Sequence, residues 1–202
     1  MHRPGLLRLL IGTANVGKAA EYRRILAGLD LDLIGLDQLE DPPREPPEDA
    51  PTYAENAIGK ARAYLDATGI ATIADDSGLE VDALGGAPGV RSRRYFGEDV
   101  PAEQRNRMLL ALLDGVEDRG ARFVCVAALA LPDGTVETFS GEVLGEIATA
   151  PSGAAGFGYD PVFLMQGDGR AMAELSGEEK DRLSHRGLAG AKLRARLSGE
   201  PR

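Results

Sequence analysis

A short β-branched run, Ile70 to Ile73, leads straight into two adjacent carboxylates, Asp75 and Asp76, followed at once by Ser77 and Gly78. The order reads as a strand ending in a turn at Ser77-Gly78. Side chains alternate faces along a strand but not past its end, so such a turn lets both carboxylates approach one site. Two like charges held close resist joint ionisation unless a cation lies between them. All four residues are also turn formers, and a plain solvated turn fits the stretch equally well. The remainder of the chain has to decide.

At 202 residues the chain can bury a sizeable core as one large domain or a two-lobed unit. Its formal net charge of -9 repels nucleic acid and anionic membrane at long range, so neither is expected as a partner. A small polyanion is not excluded, because local lysines, arginines and a divalent metal can overcome the global field. The single cysteine, Cys125, lies in the apolar run FVCVAALAL and reads as core filler, which suits a reducing cytoplasm. The opening MHRPGLLRLLIGTAN has a basic start, but Arg8 interrupts its apolar run and no cleavage pattern follows. It reads as a first strand, and no segment approaches transmembrane length.

In chain order, Leu6 to Ile11 is an apolar strand that ends in Gly-Thr-Ala-Asn-Val-Gly-Lys and then a helix from Ala19 to Leu29. Strand, polar loop and helix together aim backbone N–H groups at an anion. Lys18 in the first helical turn opposes the dipole, which is easier to understand if it meets a phosphate, although the spacing is not that of a Walker A loop. After a second strand, Leu31 to Leu36, the segment EDPPREPPEDAP carries five prolines in a dozen residues and reads as an extended, solvated connection of suspicious length. Thr52 then caps a helix, with Glu55 as its partner and Asn56 and Lys60 one turn apart on another part of it, where a lysine is expected to be solvated.

Gly85 to Gly89 specifies a fixed turn before Arg91, Arg93 and Arg94, a cluster that fits a solvated face, a dimer contact or an anion site. Pro101 opens a helix to about Leu113, with Met108, Leu109, Leu112 and Leu113 as its expected core face. Strands follow over 121–131 and 135–139 about a Pro132-Asp133-Gly134 turn, with a third over 141–148, as a meander in a second sheet region. In GFGYDP, Phe157 between Gly156 and Gly158 has a ring free to stack on a flat ligand or to pack on the core. Ser176 caps a short helix with Glu179 and Lys180, and His185-Arg186 fall in the break before a closing helix with a basic tail, where they offer directional donors.

Taken together, TANVGK, YAENAIGKA, ADDSGLEVDALGGAPGVRS, GFGYDP and EKDRLSHRG resemble the inosine triphosphate pyrophosphatase family, over roughly residues 8 to 197. These are house-cleaning enzymes that hydrolyse ITP, XTP and their deoxy forms to monophosphate and pyrophosphate. The resemblance implies an α/β fold of two lobes around a long central mixed sheet flanked by helices, with the cleft between the lobes. It further implies one such domain over 1–202, a Mg²⁺ cofactor, a homodimer and a purine nucleoside triphosphate substrate. By matching position it places Thr13, Ala14, Asn15, Val16, Gly17 and Lys18 on the triphosphate with Lys60 and Lys180, and Glu48 and Asp76 on the metal. Asp76 is the expected general base with Asp75 beside it, and Ser77 a substrate contact. Phe157, Gly158, Tyr159 and Asp160 would hold the purine, with His185 and Arg186 near its 6-oxo group. Ala14 stands where many members carry glycine, which matters if that position needs positive φ. Two alternatives share these motifs: a pyrophosphatase for other modified nucleotides, and a catalytically silent nucleotide-binding module.

Overall fold

The computed structural model describes residues 6–199. The basic start and the end of the basic tail lie outside the described residues. Six strands form one sheet in the order β2-β1-β3-β4-β5-β6. The strands are β1 (Leu7–Ile11), β2 (Leu31–Gly35), β3 (Ala71–Val81), β4 (Gly120–Ala130), β5 (Val136–Ile147) and β6 (Phe163–Met165). β2, β1 and β3 run parallel, whereas β3 to β6 are mutually antiparallel. The sheet is therefore mixed, as expected. The meander belongs to the same sheet and not to a second one, and the return strand and third strand are the single strand β5.

Helices cover both faces. Along β3 the odd positions share one face and the even positions the other. Ile73 packs with Tyr22 and Leu26 near α1 (Val16–Ile25) and with Leu193 of α5 (His185–Ser198). Ala74, one residue on, packs against Ala57 and Ala61 of α2 (Tyr53–Thr68). Further along the odd face, Leu79 and Val81 join Phe123, Phe163 and Leu109 of α3 (Ala102–Leu112) in a separate core cluster. Asp75 and Ser77 lie on that face between the two clusters, so a polar island interrupts an otherwise apolar face. In α3 itself Leu109 and Leu113 are buried, but Met108 and Leu112 are exposed, and the expected four-residue core face is only half right.

The expected turn at Ser77-Gly78 does not exist. β3 continues through it to Val81, paired with β4 at Ser77↔Cys125 and Gly78↔Val124. Its other edge is paired with β1 only over Ala71–Ile73, because β1 stops at Ile11. Beyond that point each exposed backbone group must find another partner. The Ile73 carbonyl accepts from Gly12 N–H at 2.7 Å, Leu79 N–H donates to Ser92 Oγ at 2.8 Å, and Val81 N–H donates to the Ala87 carbonyl at 3.1 Å. The stretch between Ile73 and Leu79 is where the edge stays open to side chains.

Gly78 is required by close approach. A Cβ there would run into the Gly89 carbonyl and lie 2.7 Å from Ser92 Oγ and 2.8 Å from the Tyr53 hydroxyl. Gly78→Ala should lower unfolding stability by about 1–3 kcal/mol, measurable by urea denaturation.

Candidate active site

A cavity of about 270 Å³ wraps around the open edge of β3. On one side it is lined by Thr13, Asn15, Lys18, Glu48, Lys60 and Asp76, and on the other by Ser77, Phe157, Gly158, Tyr159, Asp160, His185 and Arg186. The fold thus brings together thirteen of the residues named from sequence. Ala14, Val16, Gly17 and Lys180 do not line it. Val16 points outward and is 82% exposed. Gly17 instead leaves room for an aromatic ring, since a Cβ there would lie 2.5 Å from Phe157. No described residue other than glycine has positive φ, so alanine at position 14 needs no glycine backbone.

The loop after β1 closes on itself. Asn15 caps α1 by accepting from Lys18 N–H at 3.1 Å, and Asn15 N–H donates to Thr13 Oγ1 at 3.1 Å. That geometry sends the Lys18 ammonium toward the strand edge, where it lies 3.1 Å from Asp75 Oδ2 and donates to the Asp75 carbonyl at 3.5 Å. Lys60 reaches the same carbonyl at 2.5 Å from the opposite side. It is only 4% exposed, contrary to the solvated face expected of it. Burial opposes its charge, but Asp75 and Glu48 outweigh that and raise its pKa.

The adjacent carboxylates have opposite surroundings. Asp75 is buried and faces Arg186, which donates from Nε and Nη2 to Asp75 Oδ2 at 3.2 and 3.0 Å. Burial alone would raise its pKa, yet Arg186, Lys18 and Lys60 hold it well below the usual carboxylate range. Asp76 turns to the other face. Its pKa is raised, first by burial and then by Glu48, against the opposing pull of Lys60 and an Asn56 hydrogen bond. Glu48, in the proline-rich segment, is only partly solvated: its carboxylate pairs with Lys60, and Arg94 donates to its backbone carbonyl. Asp76 and Glu48 are therefore a like-charged pair of hard oxygen donors at one wall, the arrangement a divalent cation relieves. Among the described residues no cluster of three or more His, Cys, Asp or Glu side chains is placed to hold a metal.

The opposite wall is built on a charge network. Arg186 is 1% exposed, and besides Asp75 it donates from Nη1 to Glu21 Oε2 at 2.7 Å and from Nη2 to Ser77 Oγ at 2.8 Å. Most of its N–H groups are thus already engaged. Lys180 lies between Glu21 at 2.8 Å and Asp160 at 2.5 Å, with its ammonium 4.4 Å from the Phe157 ring centroid. Asp160 also accepts from Phe157 N–H at 2.7 Å, which fixes the glycine-rich loop. Even so, burial wins over Lys180 and raises the Asp160 pKa. His185 follows the cap Ser184, stacks on Phe123 at 4.6 Å and leaves Nδ1 buried with no partner among the described residues. Burial, then Arg186 and Lys180, push its pKa well below the usual value, so the ring is neutral and one nitrogen can accept while the other donates.

The Ham1 family model matches residues 9–196. The chain belongs to the Ham1 family. A dITP/XTP pyrophosphatase of Streptomyces avermitilis is 48% identical over 192 residues, covering 93% of this chain and 96% of that protein. One from Frankia alni is 49% identical over 192 residues, covering 91% and 93%. Among solved structures, the Ham1 protein of Staphylococcus aureus matches with a TM-score of 0.84 at 42% identity, covering 96% of this chain and 100% of that one. A HAM1 protein from Coxiella burnetii gives 0.86 at 37% identity with the same coverage. The resemblance read from the motifs and the α/β fold both hold within the Ham1 family.

Sequence reasoning missed Glu21 and gave Asn56 no role. Nothing in the helix pattern marks Glu21, whereas Asn56 stands four residues before Lys60 on one helical face, a spacing that does signal a shared surface.

His185 takes up protons less readily folded than unfolded, so stability is lost as pH falls below about 6.5, by at most about 1.4 kcal/mol per pH unit. The raised pKa values of Asp76 and Asp160 act in the opposite direction. Urea denaturation between pH 7 and 5 should show wild type losing stability relative to His185→Gln, which isolates the histidine contribution.

Proposed function

We propose that this Ham1 protein hydrolyses non-canonical purine nucleoside triphosphates, among them ITP, dITP, XTP and dXTP, to the monophosphate and pyrophosphate. The carrying observation is the convergence of Lys18 and Lys60 on the Asp75 carbonyl beside the paired carboxylates Asp76 and Glu48. Two ammonium groups and an acid pair at one wall suit a polyphosphate with a divalent ion, and the relatives' name supplies the substrate class.

In this reading the triphosphate lies along the loop after β1, where Thr13, Asn15 and Lys18 neutralise and orient it with Lys60. Asp76, with its raised proton affinity and its place at the cavity wall, orients the attacking water and takes its proton as the water approaches the α-phosphorus. Glu48 and Asp76 would hold Mg²⁺, which prefers few carboxylates plus substrate oxygens. When bound, the ion supplies charge neutralisation on the phosphoryl oxygens. Across the cavity, Phe157 offers its ring to the purine, Gly158 and Tyr159 shape the loop, and Asp160 lies at the base edge. Ser77 contacts substrate beside Asp76. His185, neutral and with an unpartnered ring nitrogen, selects a 6-oxo purine with Arg186, and Lys180 holds the loop and its ring in place.

The same reading makes the chain one domain of two lobes that share the sheet, with Mg²⁺ as cofactor, a homodimer as its assembly and the cytoplasm as its compartment. Supporting these are the two core clusters on β3, the exposed Tyr95 and Leu112, and a buried free Cys125. No helix in the described residues is long and apolar enough to cross a membrane.

Purified protein with Mg²⁺ should release pyrophosphate from dITP, ITP and XTP far faster than from GTP, ATP or dUTP, and equal rates on ATP would overturn the substrate reading. Asp76→Asn should lower kcat by roughly 10²- to 10⁴-fold with the fold intact by circular dichroism.

A further inference from the structure

Asn56 lies on α2, is 3% exposed, and uses both amide N–H groups and its oxygen in three hydrogen bonds. Nδ2 donates to Asp76 Oδ2 at 2.8 Å and to the Ala50 carbonyl at 3.3 Å, while Oδ1 accepts from Ala50 N–H at 2.9 Å. Ala50 is two residues past Glu48 in a segment with no regular secondary structure. Prolines at 46, 47 and 51 stiffen that segment but offer no N–H for anchoring it. One side chain therefore grips both the strand that carries Asp76 and the loop that carries Glu48.

We propose that Asn56 is the positioning residue that sets Glu48 against Asp76 and fixes the rotamer of the Asp76 carboxylate. This rests on the reading of Asp76 as base and of the pair as metal ligands. A residue serving only as a loop anchor would need no more than the two bonds to Ala50, which reproduce a backbone pairing. The third bond, to Asp76 Oδ2, complements the Ser77 N–H bond to Oδ1 at 2.9 Å, so each oxygen is held by its own donor. Arg94 and Lys60 also hold the Glu48 segment, through its carbonyl and carboxylate, but neither makes a hydrogen bond to the Asp76 side chain. Supports of this kind, one step removed from a metal or reacting group, typically change affinity or turnover by 10- to 100-fold when removed.

Two variants separate the roles. Asn56→Ala removes all three bonds. Asn56→Asp is nearly isosteric and keeps the acceptor for Ala50 N–H but loses both donated bonds. Wild type, Asp76→Asn and both variants are compared for kcat and KM on dITP, for the Mg²⁺ concentration giving half-maximal rate, and for amide exchange at Ala50 in metal-free protein. Expected is a kcat loss of roughly 10- to 100-fold in both variants with nucleotide KM changed by less than about threefold, and a raised Mg²⁺ requirement. Ala50 should stay protected in Asn56→Asp and exchange faster in Asn56→Ala. The proposal is overturned if Asn56→Asp retains kcat within about threefold of wild type, or if either variant loses rate only in proportion to its folded fraction. An inactive wild type would instead sink the functional reading and the proposal with it, whereas active wild type with inactive Asp76→Asn and unimpaired Asn56 variants sinks the proposal alone.

Discussion

The ion pair between Arg186 and Asp75 is the contact on which this architecture depends. Both side chains are buried, and taking two charges out of water costs several kcal/mol each unless every lone pair and N–H is met. Here Asp75 Oδ2 also faces Lys18, and Arg186 also meets Glu21 and Ser77, so the pair is extended into a network that reaches α1, β3 and α5, with Asp75 Oδ1 left without a hydrogen-bond partner among the described residues. Removing one member leaves an unpaired buried charge, a loss of about 3–5 kcal/mol in comparable cases. The network fills the gap between the two core clusters on the same face of β3. It also anchors Arg186, the neighbour of His185, at the cavity wall.

The second constraint is the mismatch in strand length. β1 has five residues and β3 has eleven, so β3 runs on past its partner with a free backbone edge. Such an edge is usually a liability that proteins cover. In this chain the segment after Gly85 covers its far end, and two lysines cover the Asp75 carbonyl. The positive charge of Lys18 and Lys60 is therefore concentrated by a structural need, the satisfaction of a carbonyl left open by a short neighbouring strand. Ligand sites at the carboxyl ends of parallel strands arise in the same way, from loops that diverge where pairing stops.

Much of this was legible in sequence, for identifiable reasons. The loop after β1 and the caps at Thr52 and Ser176 depend on local chemistry, and each forms as its residues suggest. Motif order identified the family and thirteen cavity residues, because those segments carry unusual residue types at fixed spacing. What was not legible depended on partners distant in sequence. Turn-forming residues at Ser77-Gly78 were overridden by pairing with β4, which burial on both faces rewards more than local preference. Lys60 looks solvated on a helix, and Asn56 carries no role there, until the strand edge and Asp76 are set opposite them. Glu21 pairs with residues more than 150 positions away, and no local pattern records that.

The division of labour between Asp75 and Asp76 follows from the period of a strand. Had the chain turned at Ser77, the two carboxylates would have shared a site and competed for one cation. Because β3 continues, neighbours in sequence face opposite sides of the sheet. One is held ionised by an arginine in the core, and the other is left with raised proton affinity beside Glu48. A slip of one residue in register would exchange them, placing Asp76 in the salt bridge and Asp75 in the cavity. The pairing of β3 with β4 over ten residues is long enough to forbid that slip. The surroundings of the two acids are thus specified by strand register as much as by residue type, which is why Asp-Asp in sequence becomes one buried, ion-paired acid and one acid that lines the cavity.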